Sequence, residues 1–120
     1  MTFDMSQFFQ VFFEEAEEHL AEMERLLVSL DLSSPDSEDL NAIFRAAHSI
    51  KGGSGTFGFN DMAEVTHVLE SLLDRARRGE IVLTAPMIDA FLCAKDVLRE
   101  QLRGHRDGAS VDAAAAGQGR

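Results

Sequence analysis

The sequence predicts an all-α protein, an antiparallel four-helix bundle (up-down-up-down) with a possible partial fifth helix. Three observations carry that expectation. Apolar residues recur at spacings of three and four through four segments, short turn-forming stretches separate them, and no segment reads as a strand. At 120 residues the chain can build one core but not two. Its hydrophobic content of 45% is ordinary for a folded domain, so most of it is expected to pack.

The first helix is expected over about residues 4–30. Asp4 can cap it, with Gln7 three residues on, and Phe3 and Phe8 occupy the two positions of a hydrophobic staple. Met5, Phe9, Phe12, Ala16, Leu20, Met23, Leu27 and Leu30 form one apolar stripe. Glu14, Glu15, Glu17, Glu18, Glu22 and Glu24 fill the other faces and read as a solvated surface. DLSSPDSED, residues 31–39, is a loop and helix start with Asp36 or Ser37 as the cap. The second helix runs from there through a glycine-rich stretch to about Phe57.

Asn60 is expected to cap a third helix, with Met62, Val65, Leu69, Leu72 and Ala76 facing inward. Arg75, Arg77, Arg78 and then Gly79 make a normal stop signal. A fourth starts near Thr84, tolerates Pro86 in its first turn, and buries Ile88, Phe91, Leu92, Val97, Leu98 and Leu102. The bundle domain is therefore expected over 1–104. Beyond Gly104, HRDGASVDAAAAGQGR has one larger apolar residue, Val111, and 105–120 reads as a linker or a truncated fifth helix, the interrupted helix being preferred. So little burial sets weakly against a backbone ordering cost of about 1–2 kcal/mol per residue.

The charge balance narrows function. With 21 acidic and 11 basic residues the formal net charge is −10, which repels nucleic-acid backbones and anionic lipids. The one cysteine, Cys93, sits in an apolar helical run, so a disulfide framework is excluded and a reducing cytosol is favoured. The first residues lack a basic n-region, and no apolar stretch approaches the length of a membrane span. A cytoplasmic domain is expected.

AAHSIKGGSGTFGF, residues 46–59, is the unusual stretch. Glycines at 52, 53, 55 and 58 arrive where a helix should still be running, each disfavoured by roughly 1 kcal/mol relative to alanine. At 100° per residue, Leu40, Ile43, Ala47, Ile50 and Ser54 face inward. Asn41, Arg45, His48, Gly52 and Gly55 lie on a second stripe roughly 120° away. Gly52 and Gly55 thus clear space beside His48 for another protein's backbone, while Gly53 and Gly58 suit close helix packing. On the third helix His67, Glu70 and Asp74 form a polar stripe that can border His48 if the two helices are antiparallel neighbours.

Other chemistries fit poorly. A di-metal bundle site draws on two Glu-x-x-His motifs, and Glu64 to His67 is the only one here, so no metal is expected. Lys51 precedes the glycines instead of following them, as a phosphate-cradling loop requires. No Ser/His/Asp or Cys/His arrangement is legible. The residues alone leave open a structural interaction domain in which His48 is inert.

LNAIFRAAHSIKGGSGTFGF, followed by THVLESLLDRARRGE, resembles the N-terminal histidine-phosphotransfer domain of the CheA family of bacterial chemotaxis histidine kinases, across roughly 1–104. The resemblance implies four antiparallel helices with a fifth packed alongside. It implies that His48 is the phosphoacceptor, that Lys51, His67 and Glu70 form the polar network around it, and that Gly52 is the small position beside it. It further implies that the phosphoryl group comes from ATP through the CheA kinase domain and passes to an aspartate of the response regulators CheY and CheB. The domain by itself is then a substrate and not an enzyme, and it is expected to bind no cofactor: ATP and Mg²⁺ belong to the kinase domain. The isolated domain is expected to be a monomer, the alternative role being a stand-alone phosphorelay intermediate. Arg45 and Lys51, one turn either side of His48, can offset the added negative charge. A carboxylate accepting Nδ1–H would leave Nε2 as the nucleophile, and Glu70 is the candidate.

Overall fold

The computed structural model describes residues 5–118, and their side chains over 7–108. Four helices account for nearly all of it: α1 (Met5–Ser29), α2 (Ser37–Phe57), α3 (Asn60–Arg77) and α4 (Ala85–Gln118). Each packs on two others, α1 on α2 and α4, and α3 on α2 and α4. Contacts that cross between helices give their directions. His48 meets Glu70 while Asn41 meets Arg77, so α2 and α3 are antiparallel. Glu24 meets Lys95 while Glu17 approaches Arg99, so α1 and α4 are antiparallel too. The result is an up-down-up-down bundle. None of the described helices is long and apolar enough to cross a membrane.

The helix ends follow from local chemistry. The Asp36 carboxylate accepts the N–H groups of Glu38 and Asp39, at 2.7 and 3.3 Å, and caps α2. Gly58 adopts a left-handed φ of 75°. Its N–H reaches the Gly55 carbonyl and that of Phe59 reaches Ser54, the paired bonds of a Schellman ending. Gly79, at φ 76°, ends α3 in the same way. Thr84 Oγ1 accepts from Met87 N–H at the start of α4, which carries Pro86 in its first turn. The Asp4 cap and the Phe3 half of the staple lie outside the described residues.

Several expectations are corrected. Asn60 does not cap α3. It is the first helical residue, Phe59 holds the cap position without a side-chain bond, and Asp61 accepts from the Met62 N–H instead. The turn leaves only Gly58 and Phe59 between helices, and Phe59 is committed to packing on Phe9, Phe12 and Phe13. On α3 the deepest positions are Met62, Thr66, Leu69, Leu73 and Ala76, with Val65 and Leu72 partly buried beside them. Thr66 satisfies its hydroxyl by donating to the Met62 carbonyl at 2.7 Å.

On α4, Val97 is 46% exposed and Cys93 is exposed as well. The buried stripe runs Ile88, Phe91, Lys95, Leu98, Leu102, so a lysine occupies a core-facing place. Its stem is buried and its ammonium donates to Glu24 at 3.1 Å and Asp96 at 2.6 Å. Burial alone would lower the Lys95 pKa, but the bonds to Asp96 and Glu24 outweigh it and raise it. Glu17 and Glu24 thus face α4 cations and are not merely solvated surface.

The backbone of α4 continues through Gly104 to Gln118, with no separate fifth helix among the described residues. His105 helps to hold it there. Its Nε2 lies 2.7 Å from Asp61 Oδ1 and its ring stacks on Phe59 at 4.0 Å between centroids. The side chains beyond 108, Val111 included, lie outside those described.

Gly53 and Gly52 are neighbours with opposite surroundings. A Cβ at Gly53 would sit 2.5 Å from two atoms of the Phe12 ring, while one at Gly52 would meet nothing within 4 Å. Phe12 is wedged among Phe13, Phe57 and Phe59 and has little room to retreat. Overpacking of this kind costs about 1–3 kcal/mol, more than the gain of about 1 kcal/mol from helix propensity. Urea denaturation should therefore find Gly53→Ala less stable than the parent and Gly52→Ala slightly more stable. Equal stabilisation by both would mean that close approach to α1 is not why glycine stands at 53.

Candidate functional site

His48 lies midway along α2, on the flank next to α3. The helix phase that buries Leu40, Ile43, Ala47, Ile50 and Ser54 turns His48 outward, and its side chain is 62% exposed. Ala46 completes the buried face. Across the groove, Glu70 on α3 is mostly covered, at 15% exposure. Its Oε2 lies 3.3 Å from His48 Nδ1 and 2.9 Å from Lys51 Nζ. One carboxylate oxygen therefore joins a histidine and a lysine set one turn apart on α2.

Burial pushes the Glu70 carboxyl up, but the hydrogen bonds from Lys51 and His48 and the Lys51 charge together hold it below its ordinary range. It is an anion at neutral pH and can only accept. A hydrogen bond to it from His48 therefore requires the proton on Nδ1. That tautomer leaves the Nε2 lone pair free, and Nε2 has no partner among the described residues. The arrangement presents Nε2 of an oriented imidazole to solvent, with a carboxylate placed to stabilise positive charge as it develops on the ring.

The remaining expected residues are distributed unevenly. His67 is exposed and makes no hydrogen bond or ion pair among the described residues, so it does not join the contacts around Glu70. Asp74, on the same stripe, is taken up by Arg77 and Arg78. Arg45 is exposed, without an ion pair among the described residues. Cβ atoms at Gly52 and Gly55 would meet nothing, so no packing inside the chain requires their bareness. No three His, Cys, Asp or Glu side chains among the described residues are grouped to hold a metal ion.

Two neighbours of His48 were not singled out from the sequence. The Phe44 ring lies nearly parallel to the imidazole, 14° apart with centroids at 6.0 Å. The Arg77 guanidinium sits 3.8 Å over the Phe44 centroid. The signal available was the offset of Phe44, four residues before His48 on the same helix. Arg77 was hidden among the basic residues that end α3.

The family model described as "Hpt domain" matches residues 7–108. The chain belongs to the Hpt family. Within it, this Hpt domain is 55% identical over 115 residues to "Chemotaxis protein CheA" of Salmonella typhimurium, covering 96% of this chain and 17% of that protein. The chain thus spans about a sixth of the length of the curated relatives it matches. It also superposes on the "CheA phosphotransferase domain from Thermotoga maritima", with a TM-score of 0.78 and 33% identity. That match covers 85% of this chain and 97% of the other. The phosphorylated P1 domain of CheA3 in complex with CheY6 from R. sphaeroides shares the fold, with a TM-score of 0.81 at 23% identity over 88% of this chain and 82% of that one.

The depressed Glu70 value has a testable sign. Its contribution to stability is complete above the ordinary value of 4.5 and is lost as pH falls through the lower folded-state value. Carboxyl-detected NMR should place the Glu70 midpoint below 4.5 in the parent and nearer to it in Lys51→Ala, which removes the closest cation. A midpoint indifferent to Lys51 would show that the 2.9 Å contact does not persist in solution.

Proposed function

We propose that this chain is the phosphoacceptor and phosphodonor domain of a chemotaxis histidine kinase, working in the cytoplasm. The observation that supports it best is the exposed His48 imidazole, tied by Nδ1 to a Lys51-braced carboxylate in a chain of the Hpt family. In the forward step the Nε2 lone pair forms a bond to the γ-phosphorus of ATP. The bond from that phosphorus to the bridging oxygen breaks, and its electron pair leaves with ADP. The ring becomes cationic as it does so, and Glu70 accepts the Nδ1–H that carries the charge. In the return step an aspartate oxygen of a response regulator forms a bond to phosphorus, and the N–P pair goes back to Nε2.

ATP and Mg²⁺ are held and positioned by the separate kinase domain, and this chain supplies the acceptor nitrogen and the groups around it. The domain itself holds no cofactor and acts as a monomer. The regulators are CheY and CheB. Gly52 and Gly55 leave the α2 surface bare beside His48 for the approach of each partner, and Arg45 and Lys51 offset part of the near two negative charges that phosphorylation adds. His67 acts in the outer part of the network.

Incubation with ATP, Mg²⁺ and a separately supplied CheA kinase domain should produce an acid-labile, base-stable label on His48 and none in His48→Gln. Glu70→Ala should be labelled on the order of 10–100-fold more slowly, at the low end of general acid–base effects, with helicity unchanged. His67→Ala should lose less, and Gly52→Phe should be folded but slow because its ring blocks access. An unlabelled parent chain beside a labelled control domain would leave His48 inert. A normal rate in Glu70→Ala would remove the carboxylate from the mechanism but not His48 as acceptor.

A further inference from the structure

The Glu70 contact fixes one end of the His48 ring and leaves another freedom untouched. A single 3.3 Å bond at Nδ1 holds an imidazole that is 62% exposed, and a planar ring pinned at one atom can still swing about that pin. Nε2, on the far side of the ring, moves the most when it does. Phe44 supplies a second restraint. It is partly buried and packed against the core, so its position is set by the bundle, and its face lies 14° from parallel to the imidazole.

Phe44 is itself held. Arg77 covers its ring at 3.8 Å, and the guanidinium is anchored in turn. Its Nε donates to Asp74 Oδ1 at 2.7 Å and its Nη1 to Asn41 Oδ1 at 3.4 Å. Asn41 lies one turn before Phe44 on α2, and His48 lies one turn after. The phenyl ring therefore touches a fixed cation over its face and has the near-parallel imidazole as its neighbour one turn along α2. A cation over an aromatic face is worth about 0.5–1 kcal/mol at exposed sites and more when desolvated, enough to favour one ring orientation.

We propose that Phe44, braced by Arg77, is a positioning residue for His48: it fixes the plane of the imidazole so that Nε2 projects along one line for transfer while Nδ1 keeps its bond to Glu70. This rests on the reading of His48 as the phosphoacceptor. The chain Asp74–Arg77–Phe44–His48 is an orienting column on the α2–α3 face, independent of the Lys51–Glu70 pair except where both meet at the imidazole. Orientation is sensitive to small displacements, because an ångström of misplacement can reduce a rate by up to about two orders of magnitude.

The test uses Phe44→Leu, Phe44→Tyr and Arg77→Gln in this chain, each read three ways. Side-chain ¹⁵N and ¹³C NMR reports the His48 tautomer and the order of its ring. Phosphorylation by a supplied CheA kinase domain separates kcat from KM, and thermal unfolding reports stability. Phe44→Leu keeps an apolar side chain but removes the flat face. It should lower the order of the imidazole, raise the share of the Nε2–H tautomer and reduce kcat about 3–10-fold with KM unchanged, well inside the range that misorientation covers. Phe44→Tyr should restore all three. Arg77→Gln, on the surface, should leave the fold intact and give a smaller loss in the same direction. An imidazole as ordered in Phe44→Leu and Arg77→Gln as in the parent overturns the proposal, as does a kcat loss that follows Tm and is not rescued by Phe44→Tyr. If no chain accepts phosphate, the assigned function fails, while the NMR readings still decide whether Phe44 orients the ring.

Discussion

The tight turn between α2 and α3 is the constraint on which the site depends. Gly58 takes a left-handed conformation that other residues rarely adopt, and only Phe59 follows before α3 begins. With so short a connection the two helices cannot slide independently. His48 and Glu70 stand eleven residues either side of Phe59, and Asn41 and Arg77 stand eighteen either side. Both contacts are rungs of one ladder hung from the same turn. One residue inserted on either side would rotate everything beyond it by about 100° and carry the partners to different faces. Phe59 stabilises the same point from within, since it packs on α1 and supports the His105 ring from α4.

The contacts in this ladder hold orientation more than they hold the fold together. Lys51 and Glu70 are close, but the lysine is 30% exposed, and ion pairs near the surface contribute modestly, about 0–1 kcal/mol. The large stabilising contributions come from the apolar layers formed by residues such as Leu20, Ile43, Met62 and Leu98, which are fully excluded from water. Polar geometry and apolar packing are therefore separable. The packing sets where the helices lie, and a handful of weak, well-aimed contacts sets which nitrogen of His48 faces outward.

Much of this was legible from periodicity. The outward phase of His48, the facing position of Glu70, the Asp36 cap and the Gly79 ending all follow from spacing and residue type. Gly58, expected to serve close helix packing, instead ends α2 through its left-handed φ, and a Cβ there would meet nothing within 4 Å. Lys95 was not legible, because a pattern search by hydropathy passes over a lysine whose stem packs like an aliphatic side chain and whose charge finds carboxylates on α1. The apolar character of Cys93 and Val97 misled for the complementary reason, since type was read ahead of angular position. The continuation of α4 past Gly104 depends on His105 meeting Asp61 and Phe59, contacts between segments far apart in sequence. Phe44 was visible as a helical neighbour of His48, but its stacking could not be seen without knowing that Arg77 arrives from the opposite strand of the ladder.

The His48 imidazole is more open to water than covered. In the proposed role this has a consequence for how a phosphoryl group is kept. An acceptor this open can be taken up by one protein and later by another, because much of its ring is uncovered by its own chain. The same openness gives the group no shelter between those meetings. Its lifetime in transit would then be set by the intrinsic chemistry of the nitrogen–phosphorus bond, and exclusion of solvent would fall to whichever partner encloses it at the moment of transfer.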